Sequence, residues 1–215
     1  MPAERVTRHS PWHVVFLLDN SSSMQGKPAA DVNLAVRGAI DEFKALSHGV
    51  KRYFIISIIH FASRVQVVCE AESEWKINLD AAASLSGNGG STNAAGALHA
   101  ARELLTRNPG EPSHYTPFVF FLSDGMPDDE TETLDAARKL KSLSIPAGTP
   151  RVFTLGFGEA KDSLMKQVAS QPEMYKRFKD SGELQQFFPN IGTFVLPARG
   201  EEQAVKAIVE GYIDI

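Results

Sequence analysis

His13–Ser23 reads HVVFLLDNSSS. The run from His13 to Leu18 is rich in Val, Phe and Leu, stops at Asp19, and gives way to a polar loop, Asn20 to Lys27. A short apolar run bounded by polar residues reads as a strand buried on both faces. Pro28 suits the first turn of a helix. Val32, Val36, Ala39, Ile40, Phe43 and Leu46 then recur at three- and four-residue spacing, which marks one helical face. Gly49 stands just beyond as a stop.

The alternation continues. Arg52 to Phe61 is β-rich, and Val65 to Cys69 is a second short strand. The gap between them, Ala62 to Arg64, has hairpin length, so the two are expected antiparallel. A glycine-rich loop, Gly87 to Gly90, precedes Thr92 and a helix with Ala94, Ala97, Leu98, Ala101, Leu104 and Leu105 on one face. Phe118 to Leu122 is a solid apolar strand stopping at Ser123-Asp124-Gly125. A helix with Leu134, Ala137, Leu140 and Leu143 in register follows, then a strand from Arg151 to Gly158 and a short helix from about Asp162 to Ser170. Strand and helix in turn predict an α/β fold: a central, mostly parallel sheet, one antiparallel edge strand at Val65 to Cys69, and helices on both faces. Pro189 interrupts the helical spacing of Leu184, Phe187, Phe188, Ile191 and Val195, which predicts a kink or two pieces. Ala204, Ile208 and Tyr212, four apart, predict a last helix over Glu201 to Tyr212. The expected organisation is a polar segment over 1–11, the domain over 12–196, and a helical extension over 197–215.

Composition bounds the function. With 215 residues, 43% hydrophobic and 22% charged, the chain is an ordinary globular domain that needs no disulfide or metal staple to fold. Lys+Arg 22 against Asp+Glu 26 gives a net charge of −4, and the basic residues are scattered, which argues against nucleic acid as a partner. The longest apolar stretch, Tyr53 to Phe61, is far short of the roughly 20 residues of a membrane span. One cysteine, Cys69, permits no internal disulfide and is expected in a buried strand position. Without an apolar leader among Met1 to Pro11, the expected location is cytoplasmic. Asp124, Asp128, Asp129, Glu130, Glu132 and Asp135 form an acidic stretch, readable either as a solvated loop with an acidic first helical turn or as a cation site.

Ligands in open α/β sheets bind outside the carboxyl ends of the strands. Three loops leave such ends with oxygen-bearing side chains: Asp19, Ser21 and Ser23 in the first, Thr92 in the second, Asp124 in the third. Two carboxylates and three hydroxyls are hard donors. They suit Mg²⁺ or Mn²⁺ rather than zinc, which prefers His and Cys. Neutral hydroxyl ligands leave much of the cation's charge uncancelled, so it can accept an incoming carboxylate.

Asp19-x-Ser21-x-Ser23, then Thr92, then Asp124 resembles the metal-ion-dependent adhesion site of von Willebrand factor type A domains. The strand before Asp19, the glycine-rich loop before Thr92, Phe-Leu-Ser-Asp-Gly and Phe-Thr-Leu-Gly-Phe-Gly share the order of that family, over about residues 12–195. The resemblance implies a Rossmann-like fold. It implies that Ser21, Ser23 and Thr92 bind Mg²⁺ or Mn²⁺ directly, that Asp19 and Asp124 act mainly through water, and that a Glu or Asp of a partner protein takes the remaining position. Among family members the chain is most similar to intracellular bacterial TerY-like proteins of tellurite-resistance and metal-stress loci, which occur beside kinase-like and phosphatase-like partners.

Two other readings compete. A strand ending in Asp19 suits a phosphatase of the haloacid dehalogenase type, but the acid/base Asp expected two residues later is Ser21. No P-loop, nucleophile elbow or dinucleotide fingerprint is complete, so binding rather than catalysis is expected. A scaffold with a vestigial metal site, binding through its C-terminal helix, is the other reading.

Overall fold

The computed structural model describes residues 10–48, 54–195 and 201–211. Gly49, Arg52, Tyr53 and Tyr212, named above, lie outside the described residues. Six strands form one sheet in the order β3-β2-β1-β4-β5-β6: β1 (Trp12–Asp19), β2 (Phe54–Phe61), β3 (Val65–Ser73), β4 (Phe118–Ser123), β5 (Arg151–Gly156) and β6 (Tyr175–Arg177). All neighbours pair in parallel except β2 with β3, which form the hairpin at the edge. β3 runs four residues beyond the predicted Cys69, to Ser73. Its register against β2 shifts between Ile56 and Ile58 and again between Ile58 and Ile59, and Ala71 takes φ +49°. Cys69 is half-buried there, its Sγ 3.4 Å from the Ile56 carbonyl.

β1 and β4 are buried at every position, so their side chains alternate between two cores. Val14, Phe16 and Leu18 of β1, with Phe118, Phe120 and Leu122 of β4, face α1 (Lys27–Leu46), α6 (Leu184–Val195) and α7 (Glu201–Gly211). Val15, Leu17, Val119 and Phe121 face α3 (Ala94–Arg107), α4 (Glu130–Lys141) and α5 (Asp162–Val168). Helices on both faces are what a parallel sheet requires. Aromatic rings tie the first core together: Phe16 on Phe120 at 5.7 Å, Phe120 on Phe153 at 5.1 Å, and Phe188 of α6 on Phe16 at 5.4 Å. Each such ring, fully buried, contributes roughly 1.5–3 kcal/mol. Trp12 is fully buried and stacked on Tyr115, whereas Trp75 is exposed.

α6 is one element through Pro189, not two. A proline removes one backbone donor and crowds the preceding turn. Here its ring lies against α1 at Gly38, where an added Cβ would sit 2.9 Å from the Pro189 Cγ. The missing side chain makes room for the ring, and Phe187, Phe188 and Ile191 bury the same helix face on either side of it. At the far end, Ala204 and Ile208 of α7 join the first core. The Glu201 carboxylate accepts from the Thr116 hydroxyl at 2.8 Å and pairs with Arg151. The apolar side of α7 is therefore turned inward.

Candidate metal centre

β1, β4 and β2 end side by side, because the sheet register places Leu18 opposite Leu122 and Asp19 opposite Phe61. Asp19 is the last residue of β1 and is fully buried. Its Oδ1 accepts the Ser21 amide at 2.8 Å, and its Oδ2 accepts the Ser123 hydroxyl at 2.6 Å. The chain then makes a single 3-10 turn, Ser22–Met24. That turn brings the Ser21 and Ser23 hydroxyls within 3.0 Å of each other. Ser23 donates to Asp124 Oδ1 at 2.6 Å. With its proton given to Asp124, the Ser23 oxygen keeps a lone pair free for a cation. Gly125 packs closely here: a Cβ on it would stand 3.3 Å from the Ser23 hydroxyl, which would have to shift by a few tenths of an ångström.

Thr92 arrives on the glycine-rich loop. The Ser22 amide donates to the Gly90 carbonyl at 2.9 Å, and the Gly89 amide donates to the Asn20 carbonyl at 3.0 Å. Asn20 Oδ1 accepts from the amides of Ser86 and Gly87, each at 2.8 Å. Gly87, at φ +67°, lies so close to the first loop that a Cβ would be 2.2 Å from the Gln25 nitrogen. Thr92 itself is buried, its amide held by Asp128 Oδ1 at 2.9 Å while the Asp128 amide donates to the Thr92 carbonyl at 3.0 Å. The structure thus links Asp19, Ser21, Ser23 and Asp124 by a chain of hydrogen bonds. Thr92 is set beside them by the glycine-rich loop, with no hydrogen bond to the other four. Sequence reading singled out neither Ser123 nor Asp128 as a site residue. Ser123 lay inside the Leu-Ser-Asp-Gly signal, and Asp128 was one acid in a run of acids.

Burial pushes the Asp19 carboxyl up to about 6; the Ser123 and Ser21 bonds pull the other way and the Asp124 charge adds to the rise. Asp124 is raised as well, again by burial first, with the Glu159 charge contributing. Neither carboxylate forms an ion pair among the described residues. The lysines on flanking elements are held elsewhere, Lys27 by Asp31 and Lys161 by Glu130 at 2.8 Å. A desolvated carboxylate without a positive neighbour is costly, and a divalent cation would supply the missing charge. Among the described residues no group of three or more His, Cys, Asp or Glu side chains comes together as a metal cluster. The donors gathered here are hydroxyls and two acids, a set that fits a hard cation keeping several waters.

The sign of the pH dependence follows. Asp19 has a folded pKa near 6 against an ordinary 3.8, so ionising it destabilises the metal-free protein by about 3 kcal/mol above pH 6. That cost disappears as the pH falls from 6 towards 4. Buried His13, lowered from 6.5 to about 4 by burial and by His114, acts in the opposite direction over the same window. Stability alone will therefore show little. Cation affinity will show the effect: it is expected to fall about tenfold per pH unit below pH 6, read by calorimetric titration at pH 7, 6 and 5. Unchanged affinity across that range would remove Asp19 from the site.

The von Willebrand factor type A domain model matches residues 13–190. The chain belongs to the von Willebrand factor type A domain family. Solved structures share its fold. The proximal thread matrix protein 1 of the mussel byssus, in a form with a zinc-occupied MIDAS motif, matches at 18% identity and TM-score 0.67 over 85% of this chain and 47% of that one. Manganese-loaded TRAP protein of Plasmodium vivax matches at 20% and 0.61 over 86% and 74%. The pilus adhesin SpaC of Lactobacillus rhamnosus GG matches at 14% and 0.73 over 97% and 32%. The chain therefore spans about half of the mussel protein and a third of the adhesin. Among the described residues of this type A domain, no helix is long and apolar enough to cross a membrane.

Proposed function

We propose that this type A domain is a metal-dependent protein-binding module. Ser21, Ser23 and Thr92 would hold Mg²⁺ or Mn²⁺ directly, with Asp19 and Asp124 acting through water. A Glu or Asp of a partner protein would complete the set. The observation that carries this reading is Asp19: a fully buried carboxylate with no basic side chain paired to it among the described residues, bonded to the amide of one candidate ligand residue. A bound cation supplies uncancelled positive charge with a coordination position for a carboxylate oxygen.

The chain's own residues do the positioning. Ser123 fixes one oxygen of Asp19, and the other turns the backbone so that Ser21 faces Ser23. Asp128 holds the Thr92 amide, so the third hydroxyl stays on the same rim. No activated nucleophile is part of this arrangement, so capture rather than catalysis is the reading. Manganese in the Plasmodium protein supports a hard-cation site, and zinc in the mussel protein makes Zn²⁺ a necessary competitor in the test. Within the family, the low cysteine content and the Phe187–Val195 stretch are the grounds for placing the chain with TerY-like cytoplasmic bacterial proteins. Kinase-like or phosphatase-like proteins would then be the first partners to try.

The test is a titration of metal-stripped protein with Mg²⁺, Mn²⁺ and Zn²⁺, following heat and melting temperature. Binding to the native state raises apparent stability by about 2.7 kcal/mol at a hundredfold excess over Kd. A saturable rise with Mg²⁺ or Mn²⁺ is expected. No rise at millimolar metal, in the presence of an acidic peptide as well, would leave the site vestigial.

A further inference from the structure

We propose that a second anion subsite adjoins the metal loop, so that the partner segment carries two acidic side chains, one for the metal and one for Arg64 and Asn20. The proposal rests on the carboxylate-capture reading above and names the kind of segment captured. A groove of about 220 Å³ opens beside Asn20 at the carboxyl edge of the sheet, with His60, Ser63, Arg64, Gln66 and Gly89 along it. None of its lining residues is acidic.

The groove offers donors. Asn20 Oδ1 is taken by two backbone amides, at 2.8 Å each, and this fixes the amide group so that its Nδ2 hydrogens point away from them. Among the described residues those hydrogens meet no acceptor. Arg64 is exposed, and its guanidinium forms no ion pair or hydrogen bond among the described residues. Gln66 stands opposite His60 in the hairpin and is also exposed. The backbone under Arg64 is held to the metal rim. The Ala62 amide donates to the Arg64 carbonyl at 2.9 Å, the Ser63 amide to Gly89 at 3.2 Å, and the Ser63 hydroxyl accepts the Ser91 amide at 2.9 Å.

Charge is unequal on the two sides of the metal loop. The β4 and β5 side carries Asp124, Asp128 and Glu159, its Lys161 and Arg177 being paired with Glu130 and Asp162, whereas the groove side carries Arg64. An acidic segment anchored at the metal is repelled on the first side and attracted on the second, an effect that salt screens. An apolar or basic side chain in the groove would leave the Asn20 amide and the guanidinium without partners. A carboxylate satisfies both, and the planar fork of arginine matches its two oxygens.

The experiment uses blocked glycine–serine peptides with Mg²⁺-saturated protein. One peptide has a single central glutamate; the others add a second glutamate at increasing separation. The wild type is expected to bind one of the double-glutamate peptides roughly three- to tenfold tighter than the single one, with the gap shrinking in high salt. Arg64→Ala should level the two while still binding Mg²⁺ and the single-glutamate peptide. Arg64→Glu should invert the preference, and it touches none of the residues that hold the metal loops. No preference in the wild type, or a preference that survives both variants, overturns the subsite. Failure of Mg²⁺-loaded wild type to bind even the single-glutamate peptide would instead fell the capture reading, and the subsite with it.

Discussion

Asp19→Asn is expected to lower Mg²⁺ affinity by about 10- to 100-fold and, in the same protein, to raise the stability of the metal-free state at pH 7. The two effects share one cause. The wild-type carboxylate sits fully buried at the end of β1 with its pKa pushed up to about 6, so holding it ionised at pH 7 costs about 3 kcal/mol. Asparagine is neutral and still accepts the Ser21 amide. It changes the bond with Ser123, whose hydroxyl must turn to accept from the new amide. The net gain should be about 1–3 kcal/mol, seen as a higher urea midpoint without metal. Mg²⁺ should then stabilise the wild type at concentrations that leave the variant nearly unmoved. A variant that unfolds, or one less stable than the wild type, would make Asp19 a structural residue and the site assignment wrong in kind.

Gly87→Ala is expected to damage fold and site together. At φ +67°, alanine is strained by its own backbone. Its Cβ would also stand 2.2 Å from the Gln25 nitrogen, 2.3 Å from the Gln25 Cα and 2.4 Å from the Met24 carbon. Those are backbone atoms, which cannot swing aside as a side-chain tip can. Strain and overpacking together should cost about 2–5 kcal/mol, or a fall in Tm of about 4–20 °C for a chain of this size. Met24 follows Ser23, so the displaced loop carries a candidate ligand with it, and Mg²⁺ affinity should drop alongside. Gly26→Ala is the control. It shares a positive φ, +82°, with ψ −123°, so alanine there carries backbone strain of about 1–3 kcal/mol, but its Cβ would meet nothing within 4 Å and Mg²⁺ affinity should be kept.

The strands that build the site were legible because they are buried on both faces: His13 to Leu18 and Phe118 to Leu122 could be little else. The hairpin was legible from the short gap at Ala62 to Arg64. β6 was not, because Tyr175–Arg177 is three residues long and two of them are basic. Of the two outcomes expected at Pro189, a break into two pieces does not occur; the helix runs on, with space for the ring at Gly38 on another helix, which no local pattern displays. The five oxygen-bearing residues stood out by order and by their position after strands. Their supports did not. Ser123 matters through a bond to Asp19 across 104 residues of sequence, and Asp128 through a bond to Thr92.

The open edge of the sheet has a further consequence. β3 is nine residues long and has no strand on its outer side among the described residues, the situation in which a second chain could add itself by backbone pairing. Its two register shifts and the left-handed Ala71 break the even row of outward amides and carbonyls, and Glu70, clamped by Arg107 and Asn108, puts charge beside the break. An incoming strand could zip along only a few residues before losing step. The flank is thereby poorly suited to open-ended pairing between copies of the chain.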